Sequence, residues 1–268
     1  MLEALKSALR QSPLATPLIR LKSVFERPTT QNEEGAILTQ LLARFAIPKR
    51  FVEFGFSGWE FNCATLVNDW EGLLLDGNSY NVKIARLILP KKIRAEERWL
   101  TLDTLDIVRD FAAESELGIL SIDVDGNDYW FLQALIDVRP AMLILEYNSS
   151  FGRRPVTVPY DATYDRTRVS PTWPWYNGET THYYFGASLA ALTHLATEHG
   201  YSLIEVTQSG VNAFFVRNDL LGDDDFPLSA DQAYREQYFP DGSRPSQRLA
   251  ALGDLPLIDV TKGAVKPR

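Results

Sequence analysis

The stretch Phe51-Val-Glu-Phe-Gly-Phe-Ser-Gly58 decides the fold, because it joins an apolar run to a glycine turn. Apart from Glu53, the run Phe51–Phe54 is apolar, as expected of a strand that is covered on both faces. Gly55 and Gly58 allow sharp backbone turns and a close approach to a neighbouring group. The stretch therefore predicts the opening strand and turn of an α/β sheet.

Further apolar runs follow this stretch, and each ends just before an acidic residue. The runs are Leu73–Leu75 before Asp76, Leu117–Ile122 before Asp123 and Met142–Leu145 before Glu146. Stretches of helical length lie between them, at Glu60–Trp70, Val82–Leu89 and Tyr129–Ile136. This alternation predicts a doubly wound, mostly parallel α/β sheet.

The chain divides into three predicted regions. Residues 1–50 form an N-terminal helical segment, with Asn32 as the N-cap of a helix that runs to about Phe45. Residues 51–218 form the main domain, and 219–268 form a tail rich in proline and glycine. Near the end of the main domain, a helix at Ala187–His199 precedes an antiparallel hairpin of Tyr201–Val206 and Asn212–Arg217.

Composition limits the classes of partner. Lys and Arg number 27 and Asp and Glu 35, so the net charge is −8, which argues against a nucleic-acid partner. The single cysteine, Cys63, excludes an intrachain disulfide and indicates a reducing, cytoplasmic setting. No uncharged apolar run approaches the roughly 20 residues that span a bilayer, so we expect no membrane partner. The sequence leaves homo-oligomerisation open.

The acidic residues at the strand ends predict a nucleotide-like ligand. Asp76 lies eighteen residues after Gly58, where α/β nucleotide-binding units place the acceptor for ribose hydroxyls. The turn lacks the third glycine of a dinucleotide-binding motif, and Glu53 would repel a pyrophosphate. A cofactor with an amine and a sulfonium suits these carboxylates better. We therefore expect S-adenosyl-L-methionine rather than NAD.

Two sets of residues carry a resemblance to a known family. The turn Glu53–Gly58 resembles the glycine-rich first motif of class I S-adenosylmethionine-dependent methyltransferases, and Asp76 their acidic second motif. Leu100-Thr-Leu-Asp-Thr-Leu-Asp106 and Leu120-Ser-Ile-Asp-Val-Asp-Gly126 resemble paired segments of the FkbM-like methyltransferases. The resemblance covers about Phe51 to Arg217, and it departs at Ser121, where the family usually has lysine.

The resemblance implies a fold and a cofactor site. The fold is a Rossmann-like, mostly parallel seven-stranded sheet with an antiparallel final hairpin, N-terminal helices and an aromatic lid insertion at 149–182. Glu53 and Gly55 would face the methionine end of the cofactor, Asp76 the ribose and Asp103 the adenine. Asp123 would lie near the methionine amine. The cofactor-binding set is Glu53, Gly55, Ser57, Gly58, Asp76, Asp103, Asp123 and Asp125.

The acceptor side is expected at the end of the strand that neighbours Asp123. Glu146 and Asn148 end that strand, and His182 and Tyr184 lie in the aromatic insertion that follows. We predict that these four residues carry catalysis, with His182 as a candidate general base. Asp123 or Asp125 with Glu146 and Asn148 would make an all-oxygen ligand set, the type that suits Mg²⁺. No spacing rule enforces such a site, so we predict no metal.

The insertion is unusually rich in aromatic residues, and we expect it to close over the cofactor. Aromatic rings can hold a sulfonium by cation–π contact and can exclude water. An alternative is that the loop packs a small cluster of its own. The stretch from Phe151 to Phe185, which spans most of the insertion and the three residues after it, holds the aromatic residues Phe151, Tyr160, Tyr164, Trp173, Trp175, Tyr176, Tyr183, Tyr184 and Phe185.

These residues predict an S-adenosylmethionine-dependent methyltransferase that acts on a small molecule, with a role in biosynthesis. A cyclase or lyase that releases methylthioadenosine from the same cofactor is the first alternative. The second is a non-catalytic binding protein on the same fold. A nicotinamide-dependent oxidoreductase ranks below them, because the third glycine is missing.

Overall fold

The structure is a computed structural model that describes residues 15–166, 183–239 and 241–262. The strands are β1 (Arg50–Phe54), β2 (Glu71–Asp76), β3 (Ile93–Glu97), β4 (Ile119–Ile122), β5 (Met142–Glu146), β6 (Val156–Thr157), β7 (Tyr201–Val206), β8 (Asn212–Arg217) and β9 (Ile258–Asp259). Seven of them form one sheet in the order β3-β2-β1-β4-β5-β8-β7, and β6 and β9 form a separate pair.

Strands β1 to β5 are parallel, and β8 runs antiparallel to both β5 and β7. The predicted sheet and final hairpin are therefore confirmed. The central strands β1, β4 and β5 are buried throughout. Their mainly apolar sequences match this burial, because helices cover both faces of a parallel sheet. The strand order reverses between β1 and β4, which is where α/β sheets bind ligands.

Helices cover both faces of the sheet. They are α1 (Ala15–Phe25), α2 (Glu34–Arg44), α3 (Ser79–Ile88), α4 (Asp106–Glu114), α5 (Asp128–Leu135), α6 (Leu189–Glu198), α7 (Ala230–Ala233) and α8 (Pro245–Ala251). One apolar core lies between the sheet and α4, α5 and α6, and the other holds α2 and α3. Within the described ranges, no helix is both long and apolar enough to cross a membrane.

Two predicted helical features are wrong. The stretch Glu60–Trp70 forms only a 3₁₀ turn at Ala64–Leu66, because its backbone closes i→i−3 bonds such as Leu66 N–H to Cys63 O at 2.9 Å. Asn32 is not an N-cap, because the carboxylate of Glu34 reaches back and accepts its backbone N–H at 2.7 Å.

Buried polar side chains tie the N-terminal segment to the sheet. Glu34 of α2 accepts a hydrogen bond from the Asn212 amide at 3.1 Å, and that amide also donates to Asn62 at 3.2 Å. Asn62 in turn donates to the hydroxyl of Ser121 at 3.1 Å. All four side chains are buried. Ser121, the departure from the FkbM-like pattern, is therefore a hydrogen-bonded member of this network.

The described part of the aromatic insertion is mostly packed on the C-terminal tail. Phe151, Tyr164, Tyr184 and Phe185 form a small third core with Leu252. This arrangement matches the alternative of a self-packing loop for these rings. Trp173, Trp175, Tyr176 and His182 lie outside the described residues.

Candidate functional site

A cavity of about 700 Å³ opens at the carboxyl ends of the parallel strands, beside the reversal of strand order. Loops after β1, β2, β3 and β4 supply most of its walls, and the first part of the aromatic insertion supplies the rest. Its walls include Gly55–Ser57, Asp76–Ser79, Arg98–Leu100, Asp123–Asp125 and Tyr164–Arg166.

Gly55 forms the floor of the cavity. Its φ is +68°, and a Cβ at this position would lie 1.5 Å from the carbonyl oxygen of Asp123. Only glycine fits a left-handed backbone that touches a neighbouring main chain. The exposed Ser57 also lines the cavity, whereas Gly58 does not. A Cβ on Gly58 would meet the side chain of Ile84 at 2.5 Å, so this glycine lets α3 pack closely.

Asp76 lines the cavity at the end of β2. Its carboxylate accepts backbone N–H groups from Phe56 at 3.1 Å and Asn78 at 2.5 Å, which fixes its orientation. Burial raises the pKa of Asp76 above its ordinary value, although these hydrogen bonds oppose the shift. Each carboxylate oxygen keeps acceptor capacity after one such bond. The side chain can therefore still accept hydroxyl groups from a ligand.

Glu53 is buried in β1 and does not line this cavity. The buried carboxylate accepts the backbone N–H of Asn62 at 2.6 Å and that of Cys63 at 2.9 Å. Burial raises the pKa of Glu53 to about 7, against the effect of these two bonds. In the structure, this residue holds the loop after β1. Its predicted contact with a cofactor stays a prediction.

The loop after β3 lines the cavity through Arg98, Trp99 and Leu100. The Trp99 indole donates to the carbonyl of Ala162 at 2.9 Å, which links this loop to the insertion. Asp103, predicted at the adenine side, lies on an exposed turn three residues further on and is not part of the lining. Trp99 was missed because β3, which positions it, was not recognised in the sequence.

Asp123 and Glu146 form a pair of hydrogen-bonded carboxyl groups at the ends of β4 and β5. Burial raises the pKa of each group well above its ordinary value, and their mutual repulsion adds to the shift for Glu146. Glu146 is buried, and its Oε2 atom has no hydrogen-bond partner. Both carboxyl groups are therefore shifted toward their protonated forms, and Asp123 lines the cavity.

Asp125 and Asp128 have different roles in the turn after β4. Asp125 has a φ of +55°, lines the cavity and forms an ion pair with Arg166. Asp128 is buried and accepts the N–H groups of Val124 and Gly126, both at 2.9 Å. Burial raises the pKa of Asp128 to about 6. It holds the turn that presents Asp123 and Asp125.

The insertion enters the site through Arg166. Its guanidinium stacks on the ring of Phe185, with 4.2 Å from Cζ to the ring centroid, and it is close enough to Glu146 to interact with its charge. Sequence patterns gave no sign of this residue, because only the folded insertion brings it to the strand ends.

Glu146, predicted to be catalytic, does not line the cavity, and two further predicted catalytic residues make structural contacts instead. Asn148 uses its amide to donate to the carbonyls of Tyr183 at 2.7 Å and Phe185 at 2.9 Å, and its oxygen accepts Ser150 N–H. The Tyr184 hydroxyl donates to the carbonyl of Pro256 at 2.7 Å, and the ring is buried. Neither lies in the lining. His182 is outside the part of the chain that the structure describes.

Across the same described ranges, no cluster of three or more His, Cys, Asp or Glu residues has an arrangement that could hold a metal ion. The carboxylates at the strand ends instead use their oxygens on backbone N–H groups, on Arg166 and on one another. The prediction on metal stays a prediction.

The strand order, with five parallel strands and a final antiparallel hairpin, defines a class I methyltransferase-like fold. No family model and no curated protein matches the sequence. The FkbM-like family is therefore not shown by these comparisons.

Solved structures show a distant likeness. The N-terminal domain of EvdMO1 with SAH bound is 13% identical, over 69% of this chain and 79% of that chain, with a TM-score of 0.39. The same domain in the presence of SAH and D-fucose is 14% identical over 69% of this chain and 82% of that chain, with a TM-score of 0.39. The CurJ carbon methyltransferase is 10% identical over 81% of this chain and 58% of that chain, with a TM-score of 0.40. Likeness at this level carries no argument about family, ligand or reaction.

Proposed function

We propose that this chain is an S-adenosylmethionine-dependent methyltransferase of the FkbM-like type that acts on a small molecule. The observation that carries the proposal is the cavity at the strand reversal, where Asp76 faces the space above the Gly55 turn. A volume of about 700 Å³ is in the range of small-molecule and cofactor sites.

The residues present fit such a cofactor, which supplies an electrophilic methyl group on its sulfonium. Asp76 would accept the two ribose hydroxyls, since charge-assisted hydrogen bonds are about twice as strong as neutral ones. Trp99 and Leu100 offer an apolar wall for the base. Asp123 and Asp125 place negative charge where an amine and a sulfonium would be stabilised.

The Asp123–Glu146 pair is the best-placed group to take a proton from an acceptor. Its raised pKa makes it a stronger base than an ordinary carboxylate once it is ionised. Asp123 lines the cavity and would accept that proton, and the buried Glu146 would act through Asp123. Methyl transfer otherwise demands alignment of nucleophile, methyl and sulfur, and the cavity walls would supply it.

Two measurements test the proposal. Calorimetry should detect binding of S-adenosylhomocysteine and none of NAD. Incubation with radiolabelled S-adenosylmethionine and a panel of small acceptors should then yield S-adenosylhomocysteine and a labelled acceptor. Methylthioadenosine formed without acceptor would instead indicate the cyclase or lyase, and binding without any product would indicate the non-catalytic alternative.

A further inference from the structure

A second cleft, separate from the cavity at the strand ends, lies between the turn after β5 and the start of α8. Its volume is about 400 Å³, and it shares no lining residue with the larger cavity. Arg153, Arg154 and Arg244 line it, and Glu236 is the one acidic residue in its lining. The cleft is therefore locally positive on a chain whose net charge is −8.

The arginines are available to a ligand. Among the described residues, Arg154 and Arg244 form no ion pair, and both side chains are exposed. Arg153 pairs with Asp231 at 2.9 Å, and both partners are more than half exposed. Exposed pairs of this kind are weak, so a ligand with higher charge can replace Asp231.

A buried hydroxyl also points to a ligand. Ser150 lines the cleft with its side chain fully buried, and its Oγ atom has no hydrogen-bond partner among the residues that the structure describes. A buried polar atom without a partner is costly, because it has lost its hydrogen bonds to water. An acceptor in the cleft would satisfy this hydroxyl.

Arg248 adds positive charge behind the wall of the cleft. Its side chain is 1% exposed, stacks on Phe239 at 4.0 Å and donates from Nη2 to the carbonyl of Gln237 at 3.2 Å. Its Nε and Nη1 atoms have no partner. The next residue in α8, Leu249, lines the cleft. This guanidinium therefore adds positive charge near the cleft without lining it, and it also interacts with the charges of Asp241 and Glu236.

We propose that this cleft binds the phosphate group of a small organic phosphate monoester. Guanidinium groups bind phosphate through paired, charge-assisted hydrogen bonds, and a serine hydroxyl adds a further donor. The cleft is larger than a phosphate alone, and Tyr234, Pro245 and Leu249 supply apolar walls for the attached group. The site is independent of the proposed methyltransferase cavity.

Calorimetry at constant ionic strength tests the proposal, with phenyl phosphate and inorganic phosphate as probes. Phenyl phosphate should bind, and Arg154→Gln and Arg244→Gln should each weaken it about tenfold or more, in line with loss of a charged hydrogen bond. Ser150→Ala should weaken it severalfold. Arg94→Gln is the matched control, because this arginine lies on β3 and outside the cleft.

The outcomes separate cleanly. Binding of phenyl phosphate that depends on the cleft arginines and is tighter than binding of inorganic phosphate supports the proposal. Tighter binding of inorganic phosphate would overturn the assignment to an ester. No binding of either probe, or equal affinity in all variants, overturns it. Affinity for S-adenosylhomocysteine should not change in the cleft variants, so failure here leaves the methyltransferase proposal standing.

Discussion

Gly55 and Asp123 bring two main chains into contact at the floor of the larger cavity. A Cβ on Gly55 would lie 1.5 Å from the Asp123 carbonyl oxygen, and its φ is +68°. The two residues directly follow neighbouring parallel strands, β1 and β4. The contact therefore leaves no room for a side chain at Gly55, between two strand ends that both line the cavity.

Gly55→Ala is expected to destabilise the protein and to abolish binding of S-adenosylhomocysteine. The methyl group would meet a backbone atom that cannot move without shifting β4. Urea denaturation and calorimetry measure the two effects.

Gly200→Ala is the matched control, because Gly200 has a φ of +81° and a Cβ added there would have no atom within 4 Å. It should cost only the strain of a left-handed alanine, about 1–2 kcal/mol. A similar loss of stability in the two variants would contradict the role of the Asp123 contact.

Asp76→Asn should weaken S-adenosylhomocysteine binding by about 1.5–3 kcal/mol, the range for hydrogen bonds to a charged group. The amide keeps the size of the side chain but replaces one acceptor oxygen with a donor. Asp110→Asn, an exposed change on α4, serves as the control and should bind as the wild type does. Wild-type affinity in Asp76→Asn would refute the ribose contact.

Binding of S-adenosylmethionine should release protons at pH 7, whereas S-adenosylhomocysteine should release fewer. Burial raises the pKa of Asp123 and Glu146, which shifts the pair toward its protonated form in the free protein. A sulfonium favours the ionised pair and lowers that pKa, and the neutral thioether does not. Affinity for the cationic cofactor should accordingly rise with pH.

Calorimetry in buffers of different ionisation enthalpy counts the protons. Glu146→Gln should remove most of the difference between the two ligands. Equal proton release for both ligands in the wild-type protein would show that the carboxyl pair does not sense the sulfonium.

Glu53 should make the folded protein less stable as the pH rises from about 4.5 to about 7. Burial raises the pKa of this group from 4.5 to about 7 in the folded state, so unfolding releases its proton within that window. The stabilisation is complete below pH 4.5 and is lost as the pH passes 7. Asp128, with a pKa raised to about 6, contributes in the same direction.

Denaturant titrations at pH 5 and pH 7 measure this slope. Glu53→Gln should reduce the fall in the free energy of unfolding between the two pH values, whatever its effect on stability at either one. An unchanged slope would mean that the Glu53 carboxyl stays ionised in the folded protein.

The parallel core and the hairpin were predictable because their apolar patterns match their burial. The hairpin bounds Tyr201–Val206 and Asn212–Arg217 are confirmed to the residue. Strand β3 was missed because it lies at the edge of the sheet, where alternate side chains are exposed and its sequence is mixed. The predicted helix at Glu60–Trp70 does not form, because the Glu53 carboxylate accepts the backbone N–H groups of Asn62 and Cys63. Helix propensity, which depends on local sequence, does not include such a long-range hydrogen bond.

The site was predictable only where a strand end places a residue. Asp76, Asp123 and Glu146 follow apolar runs, and the structure brings all three to the same edge of the sheet. Tyr184 and Asn148 depend on how the insertion packs against the tail, and no local pattern encodes that contact. Arg166 was missed for the same reason, and Trp99 was missed because the edge strand β3 that precedes it has a mixed sequence.

The hydrogen bonds from Glu34 through Asn212 and Asn62 to Ser121 have a consequence for cooperativity. A shortened chain that begins at the first strand would leave the amide of Asn212 without its buried acceptor in α2. Loss of one partner from a buried polar network costs more than the bond itself, because the remaining group cannot regain water. Helix α2 and strand β8, which are far apart in the sequence, should therefore unfold in a single transition.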